Sequence, residues 1–184
     1  MRNRANVFRR SARLVSRFRV ARRGATMVEF ALIAPAFLGL LIAVFETTIF
    51  LFAQQTLQNA AVQAGRLIMT GQVQNAALTQ SQFATNDVCP LVSALFNCTN
   101  VMVNVQSYID FAAANTAEPT LTYNANGTVS NVWNYNLGTP GQVMVLQLIY
   151  QWPIVGGPLG YVLPRLSNGS AEMMGVTAFR IEPY

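Results

Sequence analysis

Apolar residues fall along this chain in three rhythms. From Phe30 to Ala53 the sequence reads FALIAPAFLGLLIAVFETTIFLFA, a run of 24 residues with one charge, Glu46. At about 1.5 Å per residue a helix of this length reaches roughly 36 Å, enough to cross a hydrocarbon core of about 30 Å. A buried core helix is the alternative, and the length of the run argues against it. From Gln54 to Thr70 the rhythm turns helical. Leu57, Ala60, Ala61, Ala64, Leu67 and Ile68 recur at three- and four-residue spacing, with Gln55, Gln58, Asn59 and Gln63 between them. The helix is therefore predicted to run on past the membrane, lay one face on a folded domain and stop at Gly71. Beyond Val101 the period shortens to two. Val101, Val103 and Val105 alternate with Met102, Asn104 and Gln106, the pattern of a half-buried strand.

The other elements are read from turns and caps. A short helix is expected over Leu78 to Phe83. Asn86 and Asp87 are candidate caps for another from Val88 to Phe96, with Pro90 at an early helical position. TLTY and VSNVW flank Asn124–Gly127, within which Asn126-Gly127 is a strong hairpin turn. Val143 to Tyr150 reads as a long central strand and Met173 to Ile181 as a final one, with a Gly/Pro-rich loop from Pro153 to Pro164. A helix packed on an antiparallel sheet is an α+β architecture.

The charge distribution changes the picture. Nine of the twelve basic residues, all arginines, lie in residues 1–23, which hold no acid; the remainder carries three arginines and seven acids. The overall +5 is thus a basic head on a mildly acidic body, and no nucleic-acid partner is expected. The head should stay cytoplasmic by the positive-inside rule, which places the body across the membrane. A cleaved secretory signal is the rival reading, with Ala60 and Ala61 near a possible cut, but its apolar region spans only about 7–15 residues. Histidine is absent, as are phosphate-binding and nucleophile-elbow motifs. No enzyme activity, cofactor or metal is expected.

Cys89 and Cys98 are expected to pair in an extracytoplasmic domain. A redox role is the alternative, against which the spacing, not CxxC, argues. Tyr150, Trp152 and Tyr161 read as core aromatics more readily than as a sugar platform. The sequons at Asn97, Asn126 and Asn168 read as turn residues.

The junction RRGATMVEF, Arg22 to Phe30, raises a separate question, since it sets Glu29 at the edge of an apolar span. It resembles the prepilin cleavage site of type IV pilins. Cutting after Gly24 makes Ala25 the first residue, Glu29 the fifth and Phe30 the sixth, where an aromatic residue typifies Flp (Tad) pilins. The whole chain resembles the TadE-like minor pilins. Three regions carry the resemblance: GATMVEFALIAPAFLGLLIAVFE, then CPLVSALFNCTNVMVNVQSY, then VMVLQLIYQWPIVGGPLG with TAFRIEPY, whose tail is close to the family's FRNEPY. A departure is FETTIFLF, which lacks a glycine–arginine pair after the phenylalanine.

The resemblance implies three regions: a basic leader, 1–24, removed by a prepilin peptidase; a transmembrane helix, 25–53; and a pilin-like periplasmic α+β domain, 54–184. It implies a single-pass inner-membrane protein with a cytoplasmic N-terminus. Implied partners are the lipid bilayer, a major Flp-type pilin, another minor pilin and the inner-membrane assembly platform. Gly24 and Ala25 would flank the cut. Glu29 and Phe30 would serve subunit assembly, Glu29 by pairing with the new amino terminus of a neighbour. The implied function is priming or capping a Tad-type pilus used in surface adhesion. The alternatives are an uncleaved scaffold of the secretion machinery and a pilus-tip adhesin.

Overall fold

The computed structural model describes residues 22–154 and 169–183. Two compact units divide after Glu46. Helix α1 runs from Arg22 to Met69, 48 residues, with Pro35 inside it. In the first unit every residue from 22 to 46 is helical. Its apolar side chains lack cover from the protein: Phe30 is 74% exposed, Leu32 74% and Phe45 64%. Such a surface is stable only in a non-aqueous surrounding. The segment from Thr26 to Met69 is, by length and composition, long and apolar enough to cross a membrane.

The second unit is built on the other end of α1. Strands β1 (Met102–Tyr108), β2 (Val143–Pro153) and β3 (Ser170–Arg180) form an antiparallel sheet in the order β1-β2-β3. Leu57, Ala60, Ala61, Ala64 and Ile68 of α1 are fully buried in one core with Val103 and Val105 of β1, Met144, Leu146 and Leu148 of β2, and Met173 and Phe179 of β3. Every second strand residue faces the helix, as the two-residue period requires. The α+β expectation holds: a long apolar helix followed by a three-stranded antiparallel sheet.

Contact between α1 and β3 is unusually intimate. A Cβ placed on Gly175 would collide with the carbonyl oxygen of Leu57 and lie 2.8 Å from its carbon. Gln54 donates its side-chain amide to the Met174 carbonyl at 2.8 Å. Gln58 donates to the Val176 carbonyl at 2.8 Å and accepts from the Val176 N–H at 3.0 Å. Two helical side chains thus take the hydrogen bonds that a fourth strand would have made. The β1 edge is closed differently. The Val105 N–H donates to Asn134 and its carbonyl accepts from Asn136, while Gln80 donates to the Val103 carbonyl.

Within the connection between β1 and β2, the stretch holding Ala117 and Tyr123 lies over the opposite face of the sheet, bonded to Gln147 and Gln151. Val143, Val145 and Ile149 are buried there. So are the cross-strand partners Asn104 and Gln147. Asn104 donates to Gln147 at 2.7 Å, and Gln147 donates to the Ala117 carbonyl at 2.9 Å, so this polar pair is satisfied by the covering segment. β2 therefore has both faces buried, which explains its near-continuous apolar run.

Several local expectations need correction. The helix expected over Val88–Phe96 is a wide π-helical turn, Ala84–Val88, followed by α4, Cys89–Val92. Asn86 and Asp87 lie inside the π turn and cap nothing. Pro90 has no N–H for the Asn86 carbonyl, so the chain widens there. A helix kept straight to Phe96 would also carry residue 98 about 13 Å along the axis from Cys89, whereas the two Cα atoms stand 5.3 Å apart. Between α1 and this turn lie α2 (Gln72–Asn75) and α3 (Gln80–Phe83). α3 begins later than Leu78 because Thr79 and Gln82 form a capping box. The hairpin around Asn126-Gly127 keeps its turn, with the Gly127 N–H donating to the Asn124 carbonyl, but only one bridge, Tyr123 to Val129. Asn131 bonds the Thr122 N–H and the Thr120 carbonyl, and Asn124 bonds the N–H groups of Asn126 and Thr128. These side chains add local bonds beside two cross-strand backbone bonds, Asn124 N–H to the Thr128 carbonyl and Ser130 N–H to the Thr122 carbonyl. Gly71 does end the helix, at φ 74°. Most of the Gly/Pro-rich loop, with Tyr161 and Asn168, lies outside the described residues.

The α1–β3 contact yields a test. Gly175→Ala should destabilise the domain by about 1–3 kcal/mol, because its methyl meets helix backbone that cannot rotate away. Gln58→Leu should cost about 1–3 kcal/mol by leaving the Val176 groups unbonded. Thermal unfolding of the detergent-solubilised chain by near-ultraviolet circular dichroism measures both. Wild-type melting of Gly175→Ala would mean that helix and strand are separable.

Candidate functional site: the leader junction and the polar positions of the domain

Gly24, Ala25, Glu29 and Phe30 all lie on α1. Gly24 is exposed, and a Cβ placed on it would meet nothing within 4 Å. Packing therefore does not require glycine here, and its φ is not in the left-handed region. What glycine contributes is a weak helical position, about 1 kcal/mol poorer than alanine. A peptidase that needs an extended substrate would open the helix most easily at this point. Glu29 is exposed, as is Phe30 on the adjoining position. The helix brings these four residues into one stretch. Residues 1–21, most of the expected leader, lie outside the described residues.

Cys89 and Cys98 form a disulfide. It ties the start of α4 to the 3₁₀ turn Cys98–Asn100 immediately before β1. Asn97 caps that turn through its side chain, which accepts from the Thr99 N–H at 3.2 Å. Phe96, Tyr150 and Trp152 cluster beside it, with Phe96 edge-on to Tyr150 at 4.8 Å and to Trp152 at 5.7 Å. Tyr150 and Trp152 are thus core aromatics, as their pattern suggested. The bridge and the aromatic cluster together hold the strand ends.

Polar positions that sequence reasoning missed sit on the sheet's covered face. Glu172 of β3 is the register partner of Gln151, whose side chain donates to the Tyr123 hydroxyl at 2.9 Å. Burial pushes the Glu172 carboxyl up to about 7, and the nearby Glu118 charge adds to this. Its Oε1 is buried with no hydrogen-bond partner among the described residues. Burial, then the Glu172 charge, also raises Tyr123. A second pair lies near the π turn. Tyr135 donates to the Leu78 carbonyl at 3.1 Å and is pushed up to about 12 by burial and the charge of Asp87. Burial raises Asp87 itself. Neither pair makes a metal cluster: no group of three or more candidate ligands occurs among the described residues. The sequence held a signal for Glu172, an acid in the strand pattern AEMMGVTAF, but not for its neighbour Glu118, 54 positions earlier.

Residues 24–66 match the family model of TadE-like proteins. The match begins at the glycine of the junction, covers the whole apolar run and ends within the part of α1 that packs on the sheet. The cysteine region and the C-terminal strands lie beyond it. No curated protein and no solved structure matches the chain.

Glu172 gives a pH dependence with a definite sign. Its folded value, about 7, lies above its ordinary value of 4.5. Between the two the native state binds more protons than the unfolded chain, so stability falls as pH rises. The contribution is complete below about 4.5 and lost above about 7. Glu172→Gln keeps the shape and removes the charge. The variant should melt higher than wild type at pH 8, with the difference shrinking towards pH 5. Melting curves across that range check it, and parallel curves for the two proteins would remove Glu172 as the cause.

Proposed function

We propose that this chain, TadE-like over residues 24–66, is a minor pilin that primes or caps a Tad-type pilus used in surface attachment. The observation that carries the reading is the position of the family match. It starts at Gly24, with Glu29 five residues on and an apolar helix behind it that the protein leaves uncovered. The match and the uncovered apolar helix support a Tad pilus-associated, membrane-anchored protein; the role in priming or capping goes a step further. The role is structural and non-enzymatic, with no cofactor.

In this account residues 1–24 are a cytoplasmic leader, 25–53 span the inner membrane and 54–184 form the periplasmic domain. A prepilin peptidase cuts between Gly24 and Ala25 on the cytoplasmic side. The cut removes the arginines that hold the N-terminus at the membrane surface and leaves an ammonium on Ala25. Glu29 of an adjacent subunit pairs with that ammonium, and Phe30 packs beside it. The neighbours are the major Flp-type pilin, another minor pilin and the assembly platform. At 4 Å such a pair is worth about 1 kcal/mol in water and about 4 kcal/mol at an effective dielectric near 20. Glu46 lies 17 residues further on, about 25 Å along a helix, beyond reach of the same amine.

Mass spectrometry of the protein from cells tests the cut. The expected N-terminal residue is Ala25; an intact leader on protein within a working pilus would overturn the reading and leave an uncleaved scaffold. Glu29→Gln should be processed normally yet crosslink to the major pilin about tenfold less, a loss of the order of one ion pair. Glu46→Gln should crosslink nearly as wild type. Equal crosslinking by both variants would remove the charge pair.

A further inference from the structure

The domain contains a cavity that neither its packing nor its anchoring explains. It has a volume of about 550 Å³ and lies between the 124–129 turn, the 3₁₀ turn before β1 and the end of β2. That volume falls in the range of about 300–1,000 Å³ usual for small-molecule sites. None of the described residues lining it is charged at neutral pH. Thr99, Asn100, Thr128 and Gln151 supply hydroxyl and amide groups, while Trp133 and Tyr150 supply aromatic surface. Tyr150 is buried and Trp133 half-buried, so the indole retains open surface.

We propose that this cavity binds a neutral carbohydrate, a unit of one to three sugar rings. A sugar ring has an apolar C–H face and a rim of hydroxyls that both donate and accept. Its complement is a flat aromatic surface with uncharged groups of both kinds around it, and that is the composition of this cavity. Among the described residues of the lining an anionic ligand would find no arginine, and a cationic one no carboxylate. A wholly apolar ligand would leave the remaining hydrogen-bonding capacity of Thr99, Asn100, Thr128 and Gln151 unmatched, at a cost in desolvation.

The polar walls are held before any ligand arrives. The disulfide anchors the turn bearing Thr99 and Asn100, and the Asn97 side chain accepts from the Thr99 hydroxyl at 2.8 Å. Asn124 accepts from the Thr128 N–H at 3.0 Å and also bonds its hydroxyl. Gln151 is fixed by Tyr123. Walls fixed in this way lower the ordering cost of binding. The proposal rests on this cavity alone and stands whether or not the chain is processed at Gly24.

Ligand-observed saturation-transfer NMR on the detergent-solubilised full chain tests it. The probes are neutral di- and trisaccharides of glucose, galactose, mannose and N-acetylglucosamine, with a sialylated trisaccharide and an apolar tripeptide for comparison. The expected result is saturable binding of at least one neutral sugar with a Kd near or below about 1 mM. Trp133→Ala should weaken it about tenfold or more, while Val132→Ser, at the exposed neighbour, should leave it unchanged. If Trp133→Ala unfolds the domain by circular dichroism, Trp133→Phe and Asn100→Ala replace it, and each should weaken binding at least threefold. Absence of saturable binding by every neutral sugar overturns the proposal. So does binding that survives these substitutions, or a clear preference for the tripeptide or the sialylated probe.

Discussion

The hydrogen bonds from Gln54 and Gln58 to the edge of β3 are the constraint on which the domain depends. A three-stranded sheet has two open edges, and an uncovered edge pairs readily with other chains. Here one edge is closed by a helix. Successive outward-facing residues of β3, Met174 and Val176, are two apart, about 6.7 Å along a strand. Gln54 and Gln58 are four apart, about 6 Å along a helix. The two repeats nearly coincide, so one row of glutamines serves one row of strand groups. The match holds only if helix and strand backbones come very close, which Gly175 permits. Ala60, Ala61 and Ala64 keep the buried stripe of α1 thin along the rest of the contact.

Closing β3 in this way has consequences for the rest of the unit. With α1 committed to one face and one edge, the other face must be covered from elsewhere. The stretch of the β1–β2 connection that holds Ala117 and Tyr123 does so with little secondary structure of its own. It is held by side-chain bonds: Gln147 to Ala117, Gln151 to Tyr123, Asn131 to Thr120 and Thr122. Asparagine and glutamine are therefore structural cement here. Their abundance, with few charges, suits a domain whose covering layer is made of amide contacts. Glu172 is the exception, an acid on a covered face, and it makes that layer pH-sensitive.

Much of this could be read from the residues, and the failures have physical causes. The apolar run and the stripe from Leu57 to Ile68 declared one helix in two surroundings, because periodicity reports what each face touches. The central position of β2 followed from an apolar run with little alternation. The disulfide followed from compartment and count. Gln58 stands in the sequence only as one of the polar residues between apolar positions, and Gln54 carries no mark at all; only the location of the β3 edge gives Gln54 a partner 120 positions away and Gln58 one 118 away. The hairpin turn at Asn126-Gly127 is present with a short antiparallel pairing, and Asn124 and Asn131 bond locally where a longer ladder would run. The helix after Asn86 was overextended because propensity does not register that Cys98 must return to Cys89. At the junction, residue type and spacing were legible while function was not, for cleavage depends on an enzyme and a membrane outside the chain.

The uncovered half of α1 leaves a choice that hydrophobicity cannot make. Burying one large apolar side chain is worth about 1.5–3 kcal/mol relative to water, so residues such as Phe30, Leu32, Ile33 and Phe37 must be covered. Lipid tails and the apolar flanks of neighbouring helices cover them about equally well, and the hydrophobic term nearly cancels between the two. What remains to discriminate is shape and polar pairing. On the pilus reading, shape is supplied by small residues such as Ala31, Ala34 and Ala43 and by the bend expected at Pro35. On the same reading polar pairing falls to Glu29, a carboxylate at the start of the apolar run that cleavage after Gly24 would separate from the arginines. Lipid offers it headgroups at one depth only. On the proposed reading a neighbouring subunit would offer an ammonium on a helix of the same kind, at a depth fixed by the same sequence. Such a pair would set axial register between subunits as well as affinity, which an apolar surface free to slide along its own length does not provide.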